Sequence, residues 1–270
     1  MLISPRPLSQ NRVDMIIIIS PSKTQRVVIS PENHHYQPAF MEDSKALIRL
    51  LKPLDRNDLA NLMSISEKLA GLTHERIHGF TAPHRAETAG TALTTFQGDA
   101  FSAMTTDSYS PDDFRFAQAH LRILSGLYGF LRPLDLMQPY RLEMGTRLLS
   151  DRGKNLYEFW GSAITEALNA ELGKMPEQVV VNCASKEYSR VIKEKLLIGP
   201  MITITFKQQK NKALKSIAIH AKRARGMFVD YLIKKRISDI DQLPGFRAGG
   251  YTFASNLSTS SELTFITALD

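Results

Sequence analysis

The run of five residues from Met15 to Ile19, closed by Ser20 and Pro21, limits more than any other feature what this chain can become. Five consecutive apolar residues, four of them isoleucine, make one buried strand, and Pro21 ends regular pairing. Segments of similar character return only late, as "QVVVNCAS", "MITITF", "LKSIAIH", "GYTFAS" and "ELTFIT". Between them lie stretches whose apolar residues recur at three and four, which predicts helices: "MEDSKALIRLLKPL", "DRNDLANLMSISEKLAGL", "AETAGTALTTF", "SPDDFRFAQAHLRIL" and "GKNLYEFWGSAITEALNAEL". A first strand whose partners lie so far along the chain implies a single interwoven α+β domain, with a mixed sheet surrounded by helices. A chain of 270 residues is long enough to bury such a core. Residues 1–14 carry two prolines and no sustained period; they read as an extension or a misassigned start, and 15–270 as the one domain.

Several local signals fix element ends. Ser110 can cap, Pro111 suits a first helical turn, and Asp112 and Asp113 complement the positive end of the helix. Near the other end of the chain "KQQKNKA" is expected to join "MITITF" and "LKSIAIH" as a hairpin loop. A basic helix, "HAKRARGMFVDYLIKKR", follows.

Charge narrows the function classes. The chain holds 34 Lys and Arg against 27 Asp and Glu. Residues 186–236 alone carry 14 basic and 3 acidic side chains, so the remainder is net acidic. Such asymmetry suits a surface that meets phosphates. No apolar run nears the roughly 18 residues of a membrane span, and one cysteine makes no disulfide framework. With no signal peptide in view, a cytoplasmic address is expected.

Two patterns suggest chemistry that their context does not support. "HERIH", His74 to His78, matches the zinc pattern H-E-x-x-H, but glycines at 71 and 79 leave it about two turns of helix and no third ligand is evident. The seven histidines are scattered, so no metal site and no cofactor are expected. Cys183 lies within an apolar strand, where a cysteine behaves as a small hydrophobe.

Three segments carry more. In "LANLMSISEKLA", Leu59, Leu62, Ile65 and Ala70 occupy the hydrophobic positions of a helix-hairpin-helix element, with Ser64 and Ser66 where glycines are usual. The amides of Ser64, Ile65 and Ser66, helped by Lys68, would face a phosphate. In "AKRARG", Lys222, Arg223 and Arg225 open the basic helix and can neutralise phosphates without reading sequence. "LSGLYGFLRPLDLMQPYRLEMG", Leu124 to Gly145, is too broken for one helix and too charged for plain core. Its glycines allow close approach or sharp turns, its prolines fix direction, and its polar residues suit a cleft wall. With the loop after the first strand it defines a candidate nucleotide or nucleobase pocket: Ser20, Lys23, Thr24, Ser125, Tyr128, Arg132, Tyr140, Arg141 and Glu143.

This last stretch closely resembles the signature of the YaaA family of bacterial peroxide stress proteins. The likeness continues through "MIIIISPSKTQ", "LMSISEKLAGL", "DDFRFAQAHLRILSG", "GKNLYEFWG", "NCASKEY" and "AKRARG". It implies a cytoplasmic protein of the hydrogen-peroxide response that binds DNA through a helix-hairpin-helix element and a positively charged cleft, and limits iron-driven damage to it. The family supplies no catalytic residues to carry over. The chain departs from the family pattern at Gln97, where lysine is common before Gly98 and Asp99, and at Cys183, His74 and Glu75. Two functions therefore stand: a monomeric DNA-binding protein, or an enzyme acting on a nucleotide or nucleobase.

Overall fold

In a computed structural model the protein is described over residues 15–28, 35–210 and 213–268. The segment 1–14, read above as an extension, lies outside the described residues. The strands are β1 (Met15–Ile19), β2 (Gly90–Thr91), β3 (Leu121–Ser125), β4 (Gly129–Leu131), β5 (Leu136–Met137), β6 (Val179–Cys183), β7 (Met201–Lys210), β8 (Ala213–Lys215), β9 (Thr252–Phe253) and β10 (Glu262–Ala268). The helices are α1 (Met41–Leu51), α2 (Arg56–Met63), α3 (Glu67–His78), α4 (Ala92–Thr95), α5 (Pro111–His120), α6 (Leu156–Trp160), α7 (Ala163–Leu172), α8 (Lys186–Ser189) and α9 (Ala218–Lys235).

The mixed sheet expected from the sequence is present, surrounded by helices. Eight strands form it in the order β4-β3-β1-β6-β7-β10-β9, with β8 paired to β7. Strands β3, β1, β6, β7 and β10 run parallel, aligned through Ile17 with Leu121 and Val181, Val181 with Ile202, and Phe206 with Phe265. Antiparallel strands flank this parallel core at both edges and off β7. Every residue of β1, β3 and β6 is buried, as strands covered on both faces require. Counted in chain order, the parallel strands lie as 2-1-3-4-5, one of the two common doubly wound orders. The chain passes from β1 to β3 on one side and then to β6 on the other, so the order reverses between β1 and β6.

Several predicted elements change type, each for a visible reason. "AETAGTALTTF" gives only β2 and the single turn of α4, because Gly90 and Thr91 pair with Met137 and Leu136. The helix from Ser110 has the expected Ser110 cap, which Asp113 closes into a capping box, and Pro at its first turn, but stops at His120; Leu121–Ser125 instead forms β3, which pairs with β1. "GKNLYEFWGSAITEALNAEL" breaks into α6 and α7 at Gly161, whose φ is 51°. In "LKSIAIH" the strand ends at Lys215. The Ile217 amide leaves the ladder to donate to Gln208 Oε1 (2.8 Å), and α9 starts at Ala218. "DRNDLANLMSISEKLAGL" is two helices, since Ser64 takes a left-handed conformation (φ 49°) that interrupts it.

Two backbone contacts hold the walls of the later cavity. A Cβ at Gly126 would lie 2.2 Å from the Leu142 carbonyl oxygen, and one at Gly226 would lie 1.9 Å from that of Ala100. Glycine is required at both because backbone, not a movable side chain, occupies the space. Helix α9 is further held by Phe228 against Phe206, Phe246 and Phe265, with ring centroids 6.0, 5.1 and 5.5 Å away. Gly126→Ala is expected to destabilise the fold by at least about 1–3 kcal/mol, the usual cost of overpacking. Gly71→Ala, inside α3 with only the Arg56 side chain near 4 Å, is expected to stabilise by about 1 kcal/mol. Urea denaturation of the two variants checks both signs.

Candidate functional site

A cavity of about 370 Å³ opens where the strand order reverses, at the carboxyl ends of β1 and β6. Ligands of open α/β sheets collect at that place because loops leaving adjacent strands diverge there. Its floor is Ile19, Cys183 and the two loops that follow them. Those loops are tied together: the Ser185 amide donates to Ser20 Oγ (2.8 Å), and the Ser20 hydroxyl faces Ser185 Oγ at 3.2 Å. The loop after β1 is docked on its far side too. Its Thr24 carbonyl accepts from the Gln97 amide (2.9 Å), and Gln25 Oε1 accepts from the Tyr140 amide (2.8 Å). The loop is therefore built before any ligand arrives.

Of the pocket residues proposed from sequence, Ser20, Lys23, Thr24, Tyr140, Arg141 and Glu143 line this cavity. Ser125, Tyr128 and Arg132 do not. Ser125 Oγ lies 2.7 Å from the Tyr140 hydroxyl and accepts from the Tyr128 amide, so it supports the wall from behind. Tyr128 is wholly buried and its hydroxyl faces His84 Nε2 at 2.9 Å. Arg132 is held by the buried Asp135 at 3.0 Å and lies over the Tyr36 ring. An arginine-carboxylate pair and a buried tyrosine look the same in sequence whether they face a ligand or the interior.

The DNA-binding candidates divide as well. Lys222 and Arg225, three apart on α9, share a face and line the cavity. Arg223 is turned away and exposed. Ser64 edges a second, more open cavity of about 540 Å³ that shares Arg141, Glu143 and Glu187 with the first. The turn around Ser64 is not a free row of amides, however. Those of Ser64 and Ile65 already donate to the carbonyls of Asn61 and Ala60, because the left-handed Ser64 closes the end of α2. Ile65 packs against the core. Ser66 stands at the N-cap of α3 without a side-chain capping bond, and Lys68, two residues on in the first turn, is exposed.

The cations are unevenly matched. Glu143 pairs with Lys23 at 2.7 Å and, more loosely, with Arg141 at 3.6 Å. Asp99 and Glu187 are the other acids of the wall. Among the described residues Lys222 and Arg225 make no ion pair, and the buried Nε atoms of Arg141 and Arg225 have no hydrogen-bond partner. Burial depresses the Arg225 guanidinium, with Cys183 acting the other way. Burial pushes the Cys183 thiol up to about 12, so it stays protonated at neutral pH and supplies no counter-charge or nucleophile. In "HERIH" the His74 and His78 rings stack 4.1 Å apart on α3, and no group of three His, Cys, Asp or Glu among the described residues is placed to hold a metal.

Phe101, Ser185, Glu187 and Tyr188 also line the cavity and were not selected from sequence. Three of them lie in "NCASKEY", directly after a buried strand; the signal was their position at a strand end, usable only once β6 is known to be parallel to β1.

Fold and cavity together define an α/β domain with a parallel-cored sheet and a cation-rich pocket at its switch point. The chain belongs to the family described as peroxide stress protein YaaA, whose model matches residues 15–257. It is 47% identical over 251 residues to a UPF0246 protein of Acaryochloris marina, covering 93% of this chain and 99% of that protein. UPF0246 proteins of Saccharophagus degradans and a Shewanella species are each 46% identical, over 252 and 253 residues, with 93% of this chain and 98% of each relative covered. Among the described residues no helix is long and apolar enough to cross a membrane.

The wall behind the pocket carries a pH signature. His84 is 3% exposed, its Nδ1 faces the Thr81 carbonyl at 2.8 Å and its Nε2 the Tyr128 hydroxyl, so Nδ1 carries the proton of a neutral ring. Burial lowers its pKa from 6.5 to about 4. Below pH 6.5 the unfolded chain binds a proton that the native chain rejects. Stability should therefore fall as pH drops from about 6.5 to 4, by about 3 kcal/mol in all. In His84→Gln that slope should flatten across the same window, measured by urea denaturation at stepped pH.

Proposed function

We propose that this protein acts in the bacterial peroxide response as a monomeric, cytoplasmic DNA-binding protein, holding duplex by its phosphate backbone and so limiting iron-driven damage to it. The observation that carries this reading is the joining of the two depressions: the face of α9 with Lys222 and Arg225 is continuous, through Arg141, with the edge of the α2–α3 turn at Ser64. Cations from the first and last thirds of the chain thus border one groove. Phosphate contact at the turn falls to the first amides of α3 and to Lys68, since Ser64 and Ile65 have spent theirs. The helix-hairpin-helix likeness and the chain's basic segment support the same reading. Binding of this kind depends on released counterions and not on base edges.

A second reading, an enzyme acting on a nucleotide or nucleobase, is favoured by the cavity itself, preformed at the switch point and lined by Lys23, Arg141 and Glu143. A thermal-shift screen of nucleotides with Lys23→Ala as comparison separates the two.

The double variant Lys68→Glu, Lys222→Glu should weaken duplex retention in gel shifts by at least about 10-fold at 0.1 M salt, whereas Arg223→Glu, turned away from the groove, should change it much less. The double variant's log–log salt slope should be shallower by roughly one per lost contact. Unchanged affinity and slope in a folded variant would refute the groove.

A further inference from the structure

Arg141 and Arg225 are the two groups of the cavity whose chemistry is unfinished. Their Nε atoms are inaccessible to solvent and lack hydrogen-bond partners, although both side chains line the same space. Their burial leaves the guanidinium groups partly desolvated at the cavity wall, where a charged acceptor is worth more to them than it would be in water. Among the described residues no carboxylate pairs with Arg225, and Arg141 has only the long contact with Glu143. Glu143 is bound closely by Lys23 and only loosely by Arg141, and the Cys183 thiol beside Arg225 is neutral. A third guanidinium, Arg76 of α3, is depressed by burial and by the repulsion of Arg141.

The rest of the lining describes the ligand's other half. Phe101, Leu142 and Tyr188 give apolar and aromatic surface, while Ser22, Thr24 and Ser185 give hydroxyls at the rim. Arginine forks match tetrahedral phosphate oxygens in pairs, and aromatic walls accept the face of a planar ring. The volume, about 370 Å³, stands at the small end of ligand sites, roughly 300–1,000 Å³. We infer that the cavity is a receptor for one nucleoside monophosphate unit, with its phosphate held by Arg141 and Arg225 and its base against Phe101 and Tyr188.

This inference deepens the nucleotide reading of the pocket and does not need the duplex groove. The unit can come free in solution or drawn out of a strand, and the experiment distinguishes the two. Wild-type protein is titrated by calorimetry with deoxynucleoside 5′-monophosphates, the matching nucleosides and inorganic phosphate. A duplex with one unpaired nucleotide and its fully paired counterpart are then bound with and without the free monophosphate. Monophosphates should bind at least about 10-fold tighter than nucleosides or phosphate alone, and Arg141→Gln or Arg225→Gln should each lose that margin. Arg223→Gln, exposed and outside the cavity, should keep it. Preference for the unpaired duplex, removed by free monophosphate, assigns the source to the strand; binding of the free compound without that preference assigns it to solution. The inference is overturned if neither monophosphates nor the unpaired nucleotide bind better than their controls, or if both glutamine variants bind as wild type does. Should those variants not fold, the wild-type ligand series decides alone. Loss of duplex affinity in the Lys68 and Lys222 variant reports on the groove and leaves this series standing.

Discussion

Parallel pairing of β1 with β3 on one side and β6 on the other is the constraint on which the rest depends. Parallel neighbours cannot be joined by a tight turn, so each must arrive from elsewhere in the chain. Here that brings residues near 20, 125 and 185 to one edge of the sheet. The strand order reverses there, and a hollow is left that no short side chain fills. Everything of chemical interest stands around it. Backbone contacts at Gly126 and Gly226 then bring the 140–143 segment and α9 close enough to form walls. A cavity of this origin is a property of topology, and its lining is drawn from five separate stretches of sequence.

Electrostatics follows from that geometry more than from net charge. The chain's excess of basic residues suggests a phosphate-facing surface, yet the cavity also holds Asp99, Glu143 and Glu187. What sets Arg141 and Arg225 apart is their being partly withdrawn from water with Nε unpaired. Exposed cations such as Lys68 and Arg223 keep their hydration and gain little from one more partner; a desolvated guanidinium gains much more.

Legibility in the sequence varied with how local each signal was. The strand of isoleucines, the Ser110 cap, the burial of Cys183 and the basic helix rest on neighbouring residues, and the structure shows them. Leu121–Leu124 reads as helix from sequence because an apolar run beside a helix has no period of its own; pairing with β1 decides it as strand. Ser64 adopts a left-handed turn although glycine is easier there, since Leu59, Ile65 and Ala70 are held by packing. The candidate site was half legible. Lys23, Tyr140, Arg141 and Glu143 stand where a cleft wall was expected, whereas Ser125 and Tyr128 face inward, Arg132 is held by Asp135 outside the cavity and Arg223 faces out. Which side of a wall a residue occupies depends on contacts between distant segments, and no spacing rule encodes it.

The central claim is that the switch-point cavity presents two guanidinium groups to an anion, Arg225 without an ion pair among the described residues and Arg141 with only a long one to Glu143. Soaking crystals of the protein with tungstate, a tetrahedral oxyanion visible by anomalous scattering, tests it most directly. The account predicts the strongest tungsten peak inside the cavity, within hydrogen-bonding reach of both Arg141 and Arg225. Peaks confined to exposed cations such as Lys68 and Arg223, with the cavity holding only water, would contradict it.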